Sequence, residues 1–170
     1  MPPEVAMKSL SPDGSLYERD SHTWALEQAR ALRERRAAAL DWDNLAEEVE
    51  DLAGRHPDNL KSYCRVLIEH LLNLTYASGQ LRTRNRRLWT NSARNARIQI
   101  RELLQTNPGL KSRTADLFAR AWPLARNDAL GKLDLDDSAI PEACPWTFDK
   151  AADKSSGPIP ARPRRPSLQA

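Results

Sequence analysis

Residues 40 to 52, LDWDNLAEEVEDL, place six carboxylates in thirteen positions. Acids at that density can hold a divalent cation or act as paired acid and base, as helical bundles do with Glu residues and Glu-x-x-His motifs. The spacing argues against convergence. On a helical wheel Trp42, Leu45, Val49 and Leu52 form one apolar stripe about 120° wide, with Glu48 on one shoulder, Glu50 on the other and Glu47 nearly opposite. No Glu-x-x-His, His-x-x-x-His or His-Glu-x-x-His spacing occurs in the chain. Such spacings bring ligands to one helix face. The carboxylates of Glu47, Glu48, Glu50 and Asp51 therefore read as an acidic face favoured by the dipole at a helix start, with one shoulder acid paired.

The other reactive residue types are sparse. His70 stands at the edge of an apolar face, about 60° from Leu67, where it reads as a hydrogen-bonded structural histidine or a titratable switch. Its expected partner is an acid from the preceding helix or a helix-end carbonyl. Cys144 lies between Pro141 and Pro145, just before Thr147, an N-cap for a short terminal helix. A thiol near a helix start can be activated. With no resolving cysteine or histidine close in sequence, the stronger reading is a strap whose prolines hold the chain extended while Cys144 and Trp146 pack inward. Nucleophile triads, phosphate-cradling glycine loops and dinucleotide fingerprints are absent from the sequence. No metal or other cofactor is expected, and an enzyme is the remote alternative, as a metal-dependent one.

Arginine supplies the strongest signal. Residues 82 to 101 contain seven arginines and no acid. Arg87, Arg94 and Arg101 recur every seven positions along one helix face, with Arg97 beside them and Arg82, Arg84 and Arg86 just before. Such a row can meet phosphates and release their counterions. It can equally meet the acidic stretch, since residues 41 to 58 carry seven acids against Arg55 alone. Base stacking would need interleaved aromatics, and Trp89 belongs to the inward stripe.

The elements that must carry these residues follow from periodicity. Apolar residues return every three or four positions and no alternating run suggests a strand, so the chain reads as all-α. The first helix starts at Asp20 or Ser21, passes Trp24, Leu26 or Ala25, Gln28, Leu32 and Ala39 along one face, and ends near Leu40. The second is capped by Asp41 or Asp43 and ends or kinks at Gly54 and Pro57. The third, about residues 58 to 77, is apolar over more than half its circumference and is the central element. A loop at SGQLRTRN precedes a fourth helix from about Arg87 to Thr106, with Trp89, Ala93, Ala96, Ile100 and Leu103 inward. TNPG stops it, and a fifth runs from about Leu110 to Leu130 with a kink at Pro123. The expected architecture is a compact bundle of about five helices, residues 17 to 152, around the central helix.

Composition sets the remaining bounds. The net charge of +3 arises wholly from residues 153 to 170, so the rest of the chain is close to neutral. That Pro/Arg-rich tail and residues 1 to 16 are too poor in apolar content to order themselves and read as flexible. No stretch reaches the roughly 18 apolar residues of a membrane span, and MPPEVAMKSL lacks a signal-peptide core. Two cysteines eighty positions apart fit reduced thiols. A cytoplasmic protein is expected.

Spaced motifs then resemble a family. Asp20, Trp24, Gln28, Leu32 and Arg33 form one; Asp41, Asn44, Leu45, Ala46, Glu47, Glu48, Glu50 and Leu52 a second. Leu67 through Leu72, with Glu69 and His70 in register, match an LLEHLLK type of pattern in which Asn73 takes the place of the usual lysine. Trp89, Ser92, Arg97, Ile100, Leu103, Leu104, Asn107, Pro108 and Leu110 match the fourth helix and its stop. Pro141, Cys144, Pro145, Trp146 and Thr147 match a closing strap. Over residues 17 to 152 the chain resembles the bacterial family catalogued as domain of unknown function 29, abundant in cyanobacteria and proteobacteria. The resemblance implies an all-helical fold and no known activity.

The functional expectation is an interaction protein with oppositely charged helix faces, meeting a protein partner or a second copy of itself. The alternative is a nucleic-acid-associated accessory protein that uses Arg82, Arg84, Arg87, Arg94, Arg97 and Arg101 together with the basic tail.

Overall fold

A computed structural model describes residues 15 to 153. Residues 1 to 14 and 154 to 170, where the sequence reading places most of the tails, lie outside the described residues. The described residues form six α-helices in order, α1 (Leu16–Arg19), α2 (Ser21–Arg33), α3 (Trp42–Tyr76), α4 (Gly79–Thr106), α5 (Thr114–Leu133) and α6 (Phe148–Ala152), with short 3-10 turns at Ala37–Ala39, Pro108–Arg113 and Asp137–Ala139. There is no strand among the described residues, and the fold is all-α. Backbone packing divides the chain into two units at Ala53/Gly54.

The first unit begins with two capped helices. Ser15 closes a capping box on α1, its hydroxyl accepting from the Glu18 N–H while its own N–H donates to the Glu18 carboxylate. Asp20 caps α2, accepting from the Thr23 N–H at 3.0 Å and the Thr23 hydroxyl at 2.5 Å. Those bonds hold its carboxyl below the usual range. The helix ends at Arg33, not near Leu40, because Arg35 adopts a positive φ of 56° and a 3-10 turn follows.

The second unit holds the large core. Leu60, Cys64, Leu67, Ile68 and Leu72 of α3 are wholly buried, and α4 contributes Trp89, Ala93, Ala96 and Ile100 at the expected spacing. On α5 the alanines 121, 125 and 129, all buried, let neighbouring helices approach closely around Leu117, Phe118 and Trp122. Two ion pairs tie α3 to α5: Arg65 to Asp128 through two bonds of 2.6 and 2.8 Å, and Lys132 to Glu69 at 2.9 Å. Burial in this core pushes the Cys64 thiol up to about 12.

Three further boundaries differ from expectation. The second and third expected helices are one helix, α3, which runs through Pro57. Proline removes one N–H, the one that would serve the Ala53 carbonyl, yet its φ suits a helix. Pro57 is itself buried. The expected loop at residues 78 to 85 is helical from Gly79 onward. Gly79 supplies the single left-handed residue, φ 54°, that the turn requires, and the Gln, Leu and Arg residues after it are good helix formers. Proline 123 lies within α5, which continues to Leu133 before Asp134 turns left-handed at φ 51°.

At the C-terminal side, α4 stops where expected: the Asn107 side chain and backbone N–H both donate to the Leu103 carbonyl, and Pro108 cannot extend the helix. The strap after α5 is held by Arg126. Its guanidinium donates to the carbonyls of Asp137, Ile140 and Pro141 and pairs with the Asp137 carboxylate at 2.7 Å, holding that acid below its usual range. Trp122 donates to the Glu142 carbonyl at 2.7 Å and stacks edge-on with Trp146. The Thr147 hydroxyl caps α6 as expected. Arg126→Ala should therefore cost about 2 to 3 kcal/mol, because it strands strap carbonyls that no other side chain among the described residues serves. Chemical denaturation checks this, and a loss under about 0.5 kcal/mol would show that the clamp is incidental.

Candidate functional site

The two N-terminal motifs are explained by one carboxylate. Asp41 accepts from the buried Trp24 indole at 3.3 Å, from the Asn44 side chain at 2.6 Å and from the Asn44 backbone N–H at 3.4 Å. Its own N–H donates to the Gln28 side chain at 2.8 Å. Gln28 and Asn44 are buried polar residues, so each needs such a partner, and Asp41 supplies both while closing the first turn of α3. Tyr17 packs edge-on against Trp24 and donates its hydroxyl to Glu48 at 2.9 Å. That bond, then desolvation, raises the Tyr17 hydroxyl to about 12. Spacing along the chain marks Asp41 only as a helix cap.

The acidic face divides accordingly. Glu48 is half-buried and bonded to Tyr17, while Glu47, Glu50 and Asp51 are exposed. The apolar stripe beside them, which packing in a helical bundle would bury, is largely uncovered. Trp42, Val49 and Leu52 are 60%, 65% and 54% exposed. Amphipathic spacing sets which side of a helix is apolar and leaves open whether anything packs on it. Leu45, between Trp42 and Val49, also lines an open cleft of about 440 Å³ within the first unit, together with Ala25, Ala29, Leu32, Gln28 and Glu48. Apolar surface thus runs from the stripe into the cleft.

The arginines of α4 fall into two groups. Arg82, Arg84, Arg86, Arg87 and Arg94 are exposed and form no ion pair among the described residues. Leu81 and Leu88, at 42% and 60% exposure, stand among them. Arg97 is different: it is half-buried, donates from Nε to the Ala151 carbonyl at 2.9 Å, and its guanidinium is made less basic by burial. Arg101 is exposed on the same side, one turn further along.

His70 and Cys144 belong to the second unit. The His70 Nδ1 is buried and meets no partner among the described residues, in place of the expected hydrogen bond, and burial lowers its basicity. Asn73, fully buried one turn later, donates to Glu69 at 3.4 Å. Cys144 packs against the core and its S–H donates to the Trp146 carbonyl at 3.4 Å. Burial raises that thiol, the opposite of activation. Among the described residues no group of three His, Cys, Asp or Glu side chains is placed to hold a metal ion, and no helix is long and apolar enough to cross a membrane.

The helices, the Asp41 hub and the closing strap define an all-α protein whose N-terminal motifs are joined through one aspartate. The chain belongs to the family described as Domain of unknown function DUF29, whose model matches residues 16–155. No curated protein and no solved structure matches it.

Proposed function

We propose that this is an interaction protein that self-associates, the acidic apolar face of α3 on one copy meeting the arginine-rich face of α4 on another. The exposure of Trp42, Val49 and Leu52 carries this reading. Together with the half-buried Leu45, these residues follow the 3,4 spacing of a helix-pairing seam. An apolar stripe of that size, rimmed by charge, is what marks interaction surfaces on otherwise polar proteins. Its neighbours are acids, so its best complement is apolar side chains set among cations. Leu81 and Leu88 with Arg84, Arg87 and Arg94 have that chemistry. Charge then steers the encounter and sets the register, while the apolar contact supplies affinity.

Sedimentation equilibrium over a concentration series tests the proposal. Reversible association is expected, weakened by salt but not abolished by it, because only the charged part is screened. A monomer at every concentration would reject it.

A second reading is supported by the unpaired arginines: phosphate binding along α4, by a nucleic-acid accessory protein. Binding to random-sequence DNA or RNA that falls steeply with salt, and survives deletion of residues 153 to 170, would favour this reading.

A further inference from the structure

We infer that the hollow between α4, the Pro108–Arg113 turn and α6 is a binding site for a small organic anion with an apolar body. The hollow measures about 320 Å³ and lies entirely within the second unit. That volume falls at the lower end of small-molecule pockets. Its apolar surface comes from Ile100 and Leu104, one turn apart on α4, and from Phe148 of α6. Its charged lining is wholly cationic: Arg97, Arg101 and Lys111.

The parts are fixed in advance. Phe148 is held edge-on against Phe118 with ring centroids 6.0 Å apart. Arg97 is anchored through Nε to the Ala151 carbonyl, which leaves the outer edge of its guanidinium directed away from that bond. Asp153 is the acid that acts on Arg97 electrostatically, and it is not among the lining residues. Arg101 and Lys111 line it and are exposed. A half-buried cation beside two exposed ones, over an apolar floor, matches a carboxylate or phosphate head on a ring or short chain. Inorganic phosphate alone would leave the apolar floor unused. The chain's own residues 154 to 170 carry four cations and no acid, so their charge is wrong for this hollow.

Calorimetric titration of the full chain with 1-naphthoate tests the inference, with 1-naphthalenemethanol as its neutral counterpart and inorganic phosphate as a competitor. Expected are saturable one-to-one binding, at least tenfold weaker binding of the neutral compound, and no competition by phosphate at millimolar concentration. Arg101→Glu and Lys111→Glu should each weaken naphthoate about tenfold. Both residues are exposed, so folding is retained and circular dichroism verifies it. Arg101→Lys should restore part of the affinity. The inference is overturned by no saturation up to about 10 mM, by equal affinity for the neutral compound, or by binding that both charge reversals leave unchanged. The α3 face and the arginines at 84, 87 and 94 are intact in every variant, so failure here leaves the association proposal standing.

Discussion

Asp41→Ala is expected to raise amide exchange in α2 by about 30- to 150-fold, equivalent to roughly 2 to 3 kcal/mol. One methyl group replaces an acceptor that serves the buried Trp24 indole and both nitrogens of Asn44. The indole N–H and the Asn44 amide would then be buried without partners, which costs more than a lost bond at the surface. Asp41→Asn keeps the shape and one acceptor oxygen, so its loss should be about half as large. Exchange in the Leu60 to Leu72 segment should change far less, since those residues belong to the core of the second unit. Unchanged protection of α2 would show that Asp41 is no hub.

Trp42→Asp with Val49→Asp should weaken self-association by about 100-fold or more while leaving helix content intact. Both side chains are more than half exposed, so folding does not depend on covering them. In a contact they would be the aromatic and branched anchors, and a carboxylate in their place loses the apolar contact with Leu81 and Leu88 and is desolvated against it. Analytical ultracentrifugation reads the change directly. Association of the double variant equal to that of the parent would move the contact elsewhere on the molecule.

How far the sequence reveals these features depends on how local they are. The α4 stripe of Trp89, Ala93, Ala96 and Ile100 is legible because helical period and burial agree there. Asp20 and Thr147 are legible as caps because capping is decided within three residues. Pro57 misleads as a helix stop, since α3 runs through it: proline withholds one hydrogen bond, but its fixed φ suits a helix. The Asp41 hub joins residues 13 and 17 positions apart, and the Arg126 clamp joins residues 11 to 15 apart. Nothing in helical periodicity encodes such links. The exposure of Trp42 is hidden for another reason: an apolar stripe that packs within its own chain and one that awaits a partner have the same spacing.

Charge exchange between copies tests the central claim most directly. One variant carries Glu47→Lys, Glu50→Lys and Asp51→Lys; the other carries Arg84→Glu, Arg87→Glu and Arg94→Glu. In each alone, the faces that should meet have like charge, and association should fall at least tenfold. In a mixture, the lysine-bearing α3 of the first meets the glutamate-bearing α4 of the second, so sedimentation should show a mixed complex approaching parental affinity. Failure of the mixture to associate, with both variants folded and the parent associating, would contradict pairing between these two faces.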